Sequence, residues 1–276
     1  MTLPAGAGAA TRVGGGDINE AFRVVLADGR EAFVKTRPDA ALGEYAAEAA
    51  GLRWLAAPGA LRTPSVLEVD DRYLALEWIE RGRLDAAGAE ELGSGLAATH
   101  TAGAECFGAA GELGSAGFGS LRLPSDPAED WPTFYAEQRL RPLARIARER
   151  SAVSSAGIEA VERVCDRIAE LTGPPEPPAR LHGDLWSGNV MADAEGRPWL
   201  IDPSAYGGHR EVDLAMLRLF GAPSERVFDA YEERVPLADD WQQRIELYQL
   251  LPLLVHALLF GGSYRGAAER IAQRYA

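Results

Sequence analysis

The stretch LHGDLWSGN, Leu181 to Asn189, brings a histidine, an aspartate, a tryptophan and an asparagine together with two glycines. Asp184 and Asn189 are five residues apart, and Asp202 follows the apolar pair Leu200-Ile201. Transfer of a phosphoryl group to a hydroxyl needs a carboxylate near the attacking oxygen and oxygen ligands for Mg²⁺. An aspartate and an asparagine on a loop, followed by an aspartate at a strand end, supply those parts.

Features upstream of this stretch fit a nucleotide site. Gly14-Gly15-Gly16 lies between two predicted strands, where backbone N–H groups could approach phosphate oxygens closely. It is not a Walker A loop, because no Gly-Lys-Ser/Thr follows. Lys35, on the next strand, could neutralise phosphates if Glu44 or Glu48 on the following helix held its ammonium group. Taken alone, the glycines fit a plain turn, Lys35 fits a solvent-facing side chain, and Glu44 and Glu48 fit a solvated helix face. It is the order of these features along the chain that indicates a nucleotide site.

The composition limits the class of function. The chain has 276 residues, of which 47% are hydrophobic, and a formal net charge of −13. So acidic a protein is not expected to bind nucleic acid or an anionic membrane surface. Cys106 and Cys165 are too few for a disulfide framework, which predicts a cytoplasmic protein, and the first residues lack a signal-peptide pattern. The apolar run Leu247 to Phe260 is too short to span a bilayer and predicts a buried helix.

Hydrophobic periodicity predicts an α+β protein with two lobes and a cleft between them. The N-terminal lobe, residues 1–79, is predicted to hold a small antiparallel sheet and one helix, with a hairpin turn at Asp28-Gly29. The C-terminal lobe, residues 80–276, is predicted to be mostly helical, with a loop over residues 103–130. The predicted strands are 22–27, 30–36, 66–69, 72–79 and short ones near 181 and 199–202; the predicted helices are 42–57, 86–101, 131–150 and 155–171.

Several segments, in order along nearly the whole chain, carry a resemblance to a known family: Gly15–Asn19, Ala47-Glu48-Ala49 with Gly51-Leu52, Leu76–Ile79, LHGDLWSGN, Ile201–Pro203, GHREVDLAMLRLFG (Gly208–Gly221) and LFGGSY (Leu259–Tyr264). Together they resemble the kinase-like superfamily and, within it, the fructosamine kinase (ketosamine-3-kinase) family. This resemblance implies a two-lobed protein-kinase-like fold and ATP-dependent phosphorylation of the 3-hydroxyl of a ketosamine, either a small molecule or a glycated protein lysine. The unstable product would then leave the amine, so that glycation is repaired.

The resemblance also implies roles for individual residues. Asp184 matches the catalytic aspartate that orients or deprotonates the acceptor hydroxyl, and Asn189, on the same catalytic loop, matches a Mg²⁺ ligand together with Asp202. Lys35 matches the phosphate-binding lysine, and Glu48, in its Ala-Glu-Ala context, matches the partner of that lysine better than Glu44 does. The remaining matches are to nucleotide-binding positions: Gly15, Gly16 and Asp17 in the glycine hairpin, and Glu77, Trp78 and Ile79 in the hinge whose backbone would bind adenine.

Other residues of these segments are open to two interpretations. Trp186 either stacks on a sugar or anchors the core, and His209 and Arg210 either lie near the acceptor or form a structural salt bridge. His182 is expected to brace the loop by a hydrogen bond. Asp213, near a helix start, is expected to cap backbone groups near the catalytic loop.

Two alternative functions share the same residues. An aminoglycoside or choline kinase would use the same catalytic set, but the GHREVDLAM and LFGGSY segments favour a ketosamine kinase. A pseudokinase is disfavoured because Lys35, Asp184, Asn189 and Asp202 are all present. Asp202 is followed by Pro203-Ser204 with no long activation segment, so control of the protein-kinase type is not expected. The sequence leaves the oligomeric state and the preferred sugar open.

Overall fold

A computed structural model describes residues 3–14, 19–109, 113, 116–119 and 121–276. The expected architecture, an N-terminal antiparallel sheet with a helix followed by a mostly helical part, is confirmed. The predicted nucleotide-binding residues Gly15, Gly16 and Asp17 lie outside the described residues. Within the described part, no helix is long and apolar enough to cross a membrane.

The N-terminal sheet has five antiparallel strands in the order β1-β2-β3-β5-β4. The expected hairpin joins β2 to β3, with Gly29 at a φ of 86°, a value that glycine adopts without steric cost. A single helix, α1, packs on one face of this sheet. The bounds are β1 Ala10–Val13, β2 Glu20–Val25, β3 Glu31–Thr36, α1 Glu44–Ala56, β4 Val66–Asp70 and β5 Tyr73–Glu77.

Alternation of side chains along β3 decides which face of the sheet receives the key lysine. Val34 packs with Phe22 and Val24 on the face away from α1. Phe33 packs with Tyr45 and other residues of the α1 face. Because successive side chains of a strand point to opposite faces, Lys35 lies on the same face as Phe33, beneath α1. The sequence pattern therefore directs the ammonium group toward the helix that carries Glu48.

The rest of the chain is mostly helical, and its largest core cluster joins α4, α5, α9 and α10. The buried helix expected over Leu247 to Phe260 is confirmed as the second half of α9, which contains Pro252. A single π-helical turn, Ala136–Leu140, separates α3 from α4. The helices are α2 Ala86–Thr101, α3 Trp131–Tyr135, α4 Arg141–Glu149, α5 Ser155–Asp166, α6 Ile168–Leu171, α7 Glu211–Leu219, α8 Glu225–Arg234, α9 Trp241–Leu259 and α10 Ser263–Tyr275.

Among the described residues of this part, six short strands form three two-stranded ladders. The prediction of an unbroken loop over residues 103–130 was wrong, because Ala116–Phe118 pairs with Leu121–Leu123 as a hairpin. Strands this short leave too few residues for an alternating pattern to be recognised. The strands are β6 Ala116–Phe118, β7 Leu121–Leu123, β8 Ala179–Leu181, β9 Val190–Ala192, β10 Pro198–Leu200 and β11 Tyr206–Gly208; β6 pairs with β7, β8 with β11 and β9 with β10.

The contact between α2 and α8 depends on a small residue, and this gives a testable prediction. A Cβ atom on Gly93 would lie 2.1 Å from the backbone carbonyl oxygen of Val227. Gly93→Ala is therefore expected to lower the free energy of unfolding by about 1–3 kcal/mol, because backbone has to move. In Gly266→Ala, on α10, the new methyl group would meet only the side chain of Arg270 at 3.6 Å. That variant should gain about 0.5–1 kcal/mol from helix propensity.

Urea denaturation of the wild type and both variants measures these changes. Equal stability of the two variants would contradict the close packing of α2 on α8.

Candidate active site

Lys35 is the centre of a buried ion cluster that joins the two parts of the chain. Its side chain is 6% exposed and forms an ion pair with Glu48 of α1. Its Nζ also donates a hydrogen bond of 2.9 Å to Oδ1 of Asp202, which follows β10. Burial opposes the charge of Lys35, but Asp202 and Glu48 together raise its pKa above the usual value. The lysine is therefore a fixed positive charge at neutral pH.

The structure distinguishes the two glutamates that the sequence offered as partners of Lys35. Glu48 contacts the ammonium group of Lys35. Glu44, one turn earlier, accepts hydrogen bonds from Arg37 at 2.5 Å and from Arg122 at 2.7 Å. The preference for Glu48 thus agrees with the geometry. The additional contact between Lys35 and Asp202 was not expected from the sequence.

A short hairpin brings Asn189 and Asp202 to the same place. Val190 on β9 pairs with Leu200 on β10, and the N–H of Ile201 donates to the carbonyl of Asn189 at 3.1 Å. Asn189 directly precedes β9 and Asp202 follows β10 by two residues, so in this antiparallel ladder both lie at the end formed by Val190 and Leu200. Asp202 has a φ of 53°, an uncommon value for a residue other than glycine. Such strain persists only where surrounding contacts hold it, and it is frequent at functional sites.

Asp184 lies beside Asn189 on the loop that precedes this hairpin. The side-chain Nδ2 of Asn189 donates to the backbone carbonyl of Asp184 at 2.8 Å. Removal from water, reinforced by the negative charge of Asp202, raises the pKa of Asp184 to about 7. A second, longer hydrogen bond of 3.4 Å, from Nδ2 of Asn189 to Oδ2 of the Asp184 carboxyl group, acts in the opposite direction and lowers this pKa. A carboxyl group with a pKa near neutrality is suited to exchange a proton with a substrate hydroxyl.

Asp213, in the first turn of α7, holds the backbone of the loop that carries Asp184. Its carboxylate accepts hydrogen bonds from the N–H groups of His182 at 2.7 Å and Gly183 at 2.9 Å. Gly183 has a φ of 82°, and a Cβ there would lie 2.1 Å from the carbonyl oxygen of Ser204, so only glycine fits. Asp213 thus caps the backbone of the loop that carries Asp184, as expected; among the described residues, its carboxylate accepts no hydrogen bond from α7 itself.

Two histidines complete this support. His182 donates from Nε2 to the carbonyl of Ile201 at 2.9 Å, which agrees with its expected bracing role. His100 of α2 contacts Asp213 through Nε2 at 3.2 Å and the hydroxyl of Tyr231 through Nδ1 at 2.8 Å. No motif in the sequence assigns a function to His100 or Tyr231. Their positions on helical faces carry no signal that they meet Asp213.

The predicted hinge lies where β5 ends. The N–H of Glu77 donates to the carbonyl of Ser65 at 2.9 Å, within the sheet. Beyond the strand, no described residue accepts a hydrogen bond from the backbone N–H of Trp78 or Ile79. The guanidinium of Arg23 lies 4.6 Å from the ring of Trp78. The hinge therefore offers backbone groups that are free to pair with the edge of a planar ligand.

Among the candidate substrate contacts, Trp186 lies at the surface and His209 and Arg210 do not. Trp186 is 38% exposed and follows Asp184 by two residues. His209 is 2% exposed and stacks on Tyr248, and burial lowers its pKa to about 4, so it is neutral. Arg210 makes two hydrogen bonds to Glu176, at 2.7 and 2.8 Å. Of the two interpretations of His209 and Arg210, the geometry therefore favours the structural salt bridge.

The donor set at the hairpin end fits a magnesium ion shared with a phosphate ligand. Because Nδ2 of Asn189 donates to Asp184, its amide oxygen is left as an acceptor. Asp202 gives one oxygen to Lys35, and its side chain is 47% exposed. Among the described residues no group of three His, Cys, Asp or Glu side chains forms a metal cage. Mg²⁺ is commonly bound in this way, by one or two protein oxygens together with phosphates and water.

Asp213→Asn tests the support of the loop. The carboxylate of Asp213 now accepts hydrogen bonds from two backbone N–H groups. The asparagine amide would turn its NH₂ group toward one of these donors, and the charge that strengthens both hydrogen bonds would be lost. We expect unfolding free energy to fall by about 2–4 kcal/mol. Asp130→Asn is the matched control, since Asp130 is an exposed N-cap and asparagine caps about as well as aspartate.

Thermal and urea unfolding of both variants measure the difference. A loss in Asp213→Asn no larger than that in Asp130→Asn would show that the loop does not depend on this carboxylate.

Comparison with known proteins identifies the family. The family model for fructosamine kinase matches residues 4–276. The chain is 37% identical over 264 residues to a probable ketoamine kinase of Thermus thermophilus, covering 95% of this chain and 92% of that protein. It is 32% identical over 271 residues to a chloroplastic protein-ribulosamine 3-kinase of Arabidopsis thaliana, covering 95% and 81%.

The fold agrees with this relationship. A crystal structure from Thermobifida fusca, named as a candidate fructosamine-3-kinase, superposes with a TM-score of 0.90 at 46% sequence identity and covers 98% of this chain and 93% of that one. The family model matches nearly the full length of the chain, and relatives share more than 30% sequence identity with it. The chain belongs to the fructosamine kinase family.

Proposed function

We propose that this protein is a kinase that transfers the γ-phosphoryl group of ATP to the 3-hydroxyl of ketosamines. The observation that carries the proposal is the convergence of Lys35, Glu48 and Asp202 next to Asp184, in a chain of the fructosamine kinase family. These are the charged groups that phosphoryl transfer requires: a fixed cation, a metal-binding carboxylate and a carboxyl group for the hydroxyl proton.

Each residue has a defined part in this proposal. Asp184 orients the acceptor hydroxyl and accepts its proton, a role that its raised pKa supports. Asn189 and Asp202 would hold Mg²⁺, which would supply charge neutralisation for the phosphate oxygens. Lys35 binds phosphate, and Glu48 keeps its ammonium group in position. Because phosphoryl transfer makes little covalent demand on the protein, positioning and charge account for most of the catalysis.

The nucleotide is proposed to bind between the sheet and the hinge. The free N–H groups after Glu77, in Trp78 and Ile79, support adenine binding by the hinge backbone. The stretch with Gly15, Gly16 and Asp17 is proposed to cover the phosphates, on the strength of the family resemblance. Asn19, at the end of that stretch, accepts a hydrogen bond of 3.0 Å from the hydroxyl of Tyr45 on α1.

The names of the relatives support the substrate class. One is named a probable ketoamine kinase and another a protein-ribulosamine 3-kinase. We infer that the acceptor is a fructosamine or ribulosamine, carried by a small amine or a protein lysine, and that Trp186 lies against the sugar. Phosphorylation would destabilise the adduct and release the amine. The free thiols of Cys106 and Cys165 fit a protein of a reducing compartment such as the cytoplasm.

A substrate panel tests the proposed activity. Purified protein with Mg-ATP is expected to release ADP with 1-deoxy-1-fructosyl-lysine or ribulosyl-lysine, and to give at most background with kanamycin or choline. Coupled measurement of ADP gives the rates. Turnover of kanamycin or choline without turnover of either ketosamine would assign the protein to the alternative class of small-molecule kinases, and no turnover with any acceptor would favour a nucleotide-binding pseudokinase.

Asp184→Asn tests the proposed base. We expect kcat for the ketosamine to fall by about 100-fold or more, because the amide cannot accept the hydroxyl proton. The dissociation constant for Mg-ATP, measured by isothermal titration calorimetry, should stay close to that of the wild type. Asp71→Asn, in the exposed turn between β4 and β5, is the matched control. Unchanged turnover in Asp184→Asn would remove Asp184 from this role.

A further inference from the structure

Five rings form a continuous cluster beside the catalytic loop, which we call the aromatic shelf: Trp186, Phe220, His256, Phe260 and Tyr264. The indole of Trp186 meets Phe220 edge-on at 6.1 Å between ring centroids. Phe220 lies 5.0 Å from His256, which lies 5.0 Å from Tyr264 and 5.4 Å from Phe260. The shelf thus begins two residues from Asp184 and extends to the turn between α9 and α10.

Backbone features at both ends of the shelf set the positions of its rings. Gly188 allows the indole of Trp186 to fold over the loop, because a Cβ there would lie 2.2 Å from a ring carbon. Gly261 and Gly262 have φ values of 65° and 61°, although a Cβ at either would meet nothing within 4 Å. These two glycines are needed for the backbone reversal that brings Tyr264 back toward Phe260.

The shelf leaves more aromatic surface in water than folding requires. Phe260 is 54% exposed and Trp186 is 38% exposed. The other large hydrophobic side chains that are exposed among the described residues, Val25 and Leu42, are aliphatic and belong to the N-terminal part of the chain. Exposed aromatic side chains grouped next to a reactive carboxyl group are typical of a ligand-binding surface.

The charge around the shelf indicates what kind of ligand it would bind. Arginine side chains cover aromatic faces elsewhere, such as those of Trp78 and Phe228. Among the described residues no arginine or lysine lies over a ring of the shelf. His256 uses its Nδ1–H to donate to the carbonyl of Pro252 at 2.7 Å. The shelf therefore offers aromatic faces without a cation of its own, in a protein with a net charge of −13.

A ketosamine carries the complementary groups. Its sugar is attached to a secondary amine, which is protonated at neutral pH, and the amine bears a further substituent. A cation over an aromatic face is attracted by the ring quadrupole, and an apolar substituent gains from contact with phenyl and phenol rings. If the sugar hydroxyl lies at Asp184, the amine half must extend away from the catalytic loop.

We propose that the aromatic shelf is the subsite for the amine half of the substrate. The ammonium group lies over the rings near Trp186, and its substituent packs on Phe260 and Tyr264. This inference rests on the proposed ketosamine kinase activity and adds a determinant of selectivity among amines. The shelf would make the enzyme prefer adducts of large or aromatic amines to adducts of small ones.

A pair of substrates with the same sugar tests the subsite: the fructosyl adducts of benzylamine and of methylamine. In the wild type we expect a lower KM for the benzylamine adduct. In Phe260→Ala the kcat/KM of the benzylamine adduct divided by that of the methylamine adduct should fall by about 5- to 10-fold, because one ring contact is lost. The change should be mainly a higher KM for the benzylamine adduct. Tyr264→Ala should act in the same direction.

Control variants separate the subsite from general damage. Leu42→Ala removes an exposed apolar side chain near α1 and should leave the ratio unchanged. Phe260→Leu keeps an apolar side chain but removes the ring, so it should lose part of the selectivity. Thermal unfolding verifies that each variant is folded. An unchanged ratio in both Phe260→Ala and Tyr264→Ala would overturn the subsite.

A binding measurement distinguishes failure of the subsite from failure of the proposed activity. If the wild type phosphorylates neither adduct, the proposed activity fails. The subsite is then judged by isothermal titration of the benzylamine adduct into the wild type and Phe260→Ala in the presence of Mg-ADP. Weaker binding in the variant, by about 5- to 10-fold, would support the shelf. Equal affinity, or no binding to the wild type, would refute it.

Discussion

The ammonium group of Lys35 is buried, and its charge must be balanced by carboxylates from other elements of the chain. An unpaired ammonium group inside a protein is too costly to persist, so its carboxylate partners must be present and well placed. One partner, Glu48, comes from α1, and the other, Asp202, comes from the end of the β9-β10 hairpin. The strand β3, the helix α1 and the β9-β10 hairpin therefore meet at Lys35.

A second buried charge fixes the loop that faces this cluster. Asp213 has no exposed surface, and it is balanced by two backbone N–H groups and by His100. Hydrogen bonds to these donors hold the pKa of Asp213 below its usual range despite burial. The loop is thus positioned through its backbone. The side chain of Asp184 remains available for chemistry because it is not required to hold the loop.

The site retains features that cost stability. Asp184 is largely withdrawn from water and forms no salt bridge within the part of the chain that the structure describes, and Asp202 adopts a left-handed backbone conformation. Phe260 and Trp186 leave aromatic surface in water. Departures of this kind from the rules of folding are expected where a protein binds and transforms a ligand. Asp184, Asp202 and Trp186 belong to the candidate site, and the aromatic shelf continues from Trp186 to Phe260.

The alternation along β3 and the helical periodicity around Glu48 were enough to predict the fold class, and the interval between Asp184 and Asn189 predicted a loop for phosphoryl transfer. The family followed from the resemblance of segments such as LHGDLWSGN and GHREVDLAMLRLFG. The tertiary packing determines which distant groups meet. It joined Lys35 to Asp202, brought His100 to Asp213, buried His209 against Tyr248, and assembled Phe260 and Tyr264 with Trp186. Local sequence patterns show which face of a helix or strand is apolar. They do not show which faces pack against each other, because those contacts join residues that are far apart in the sequence.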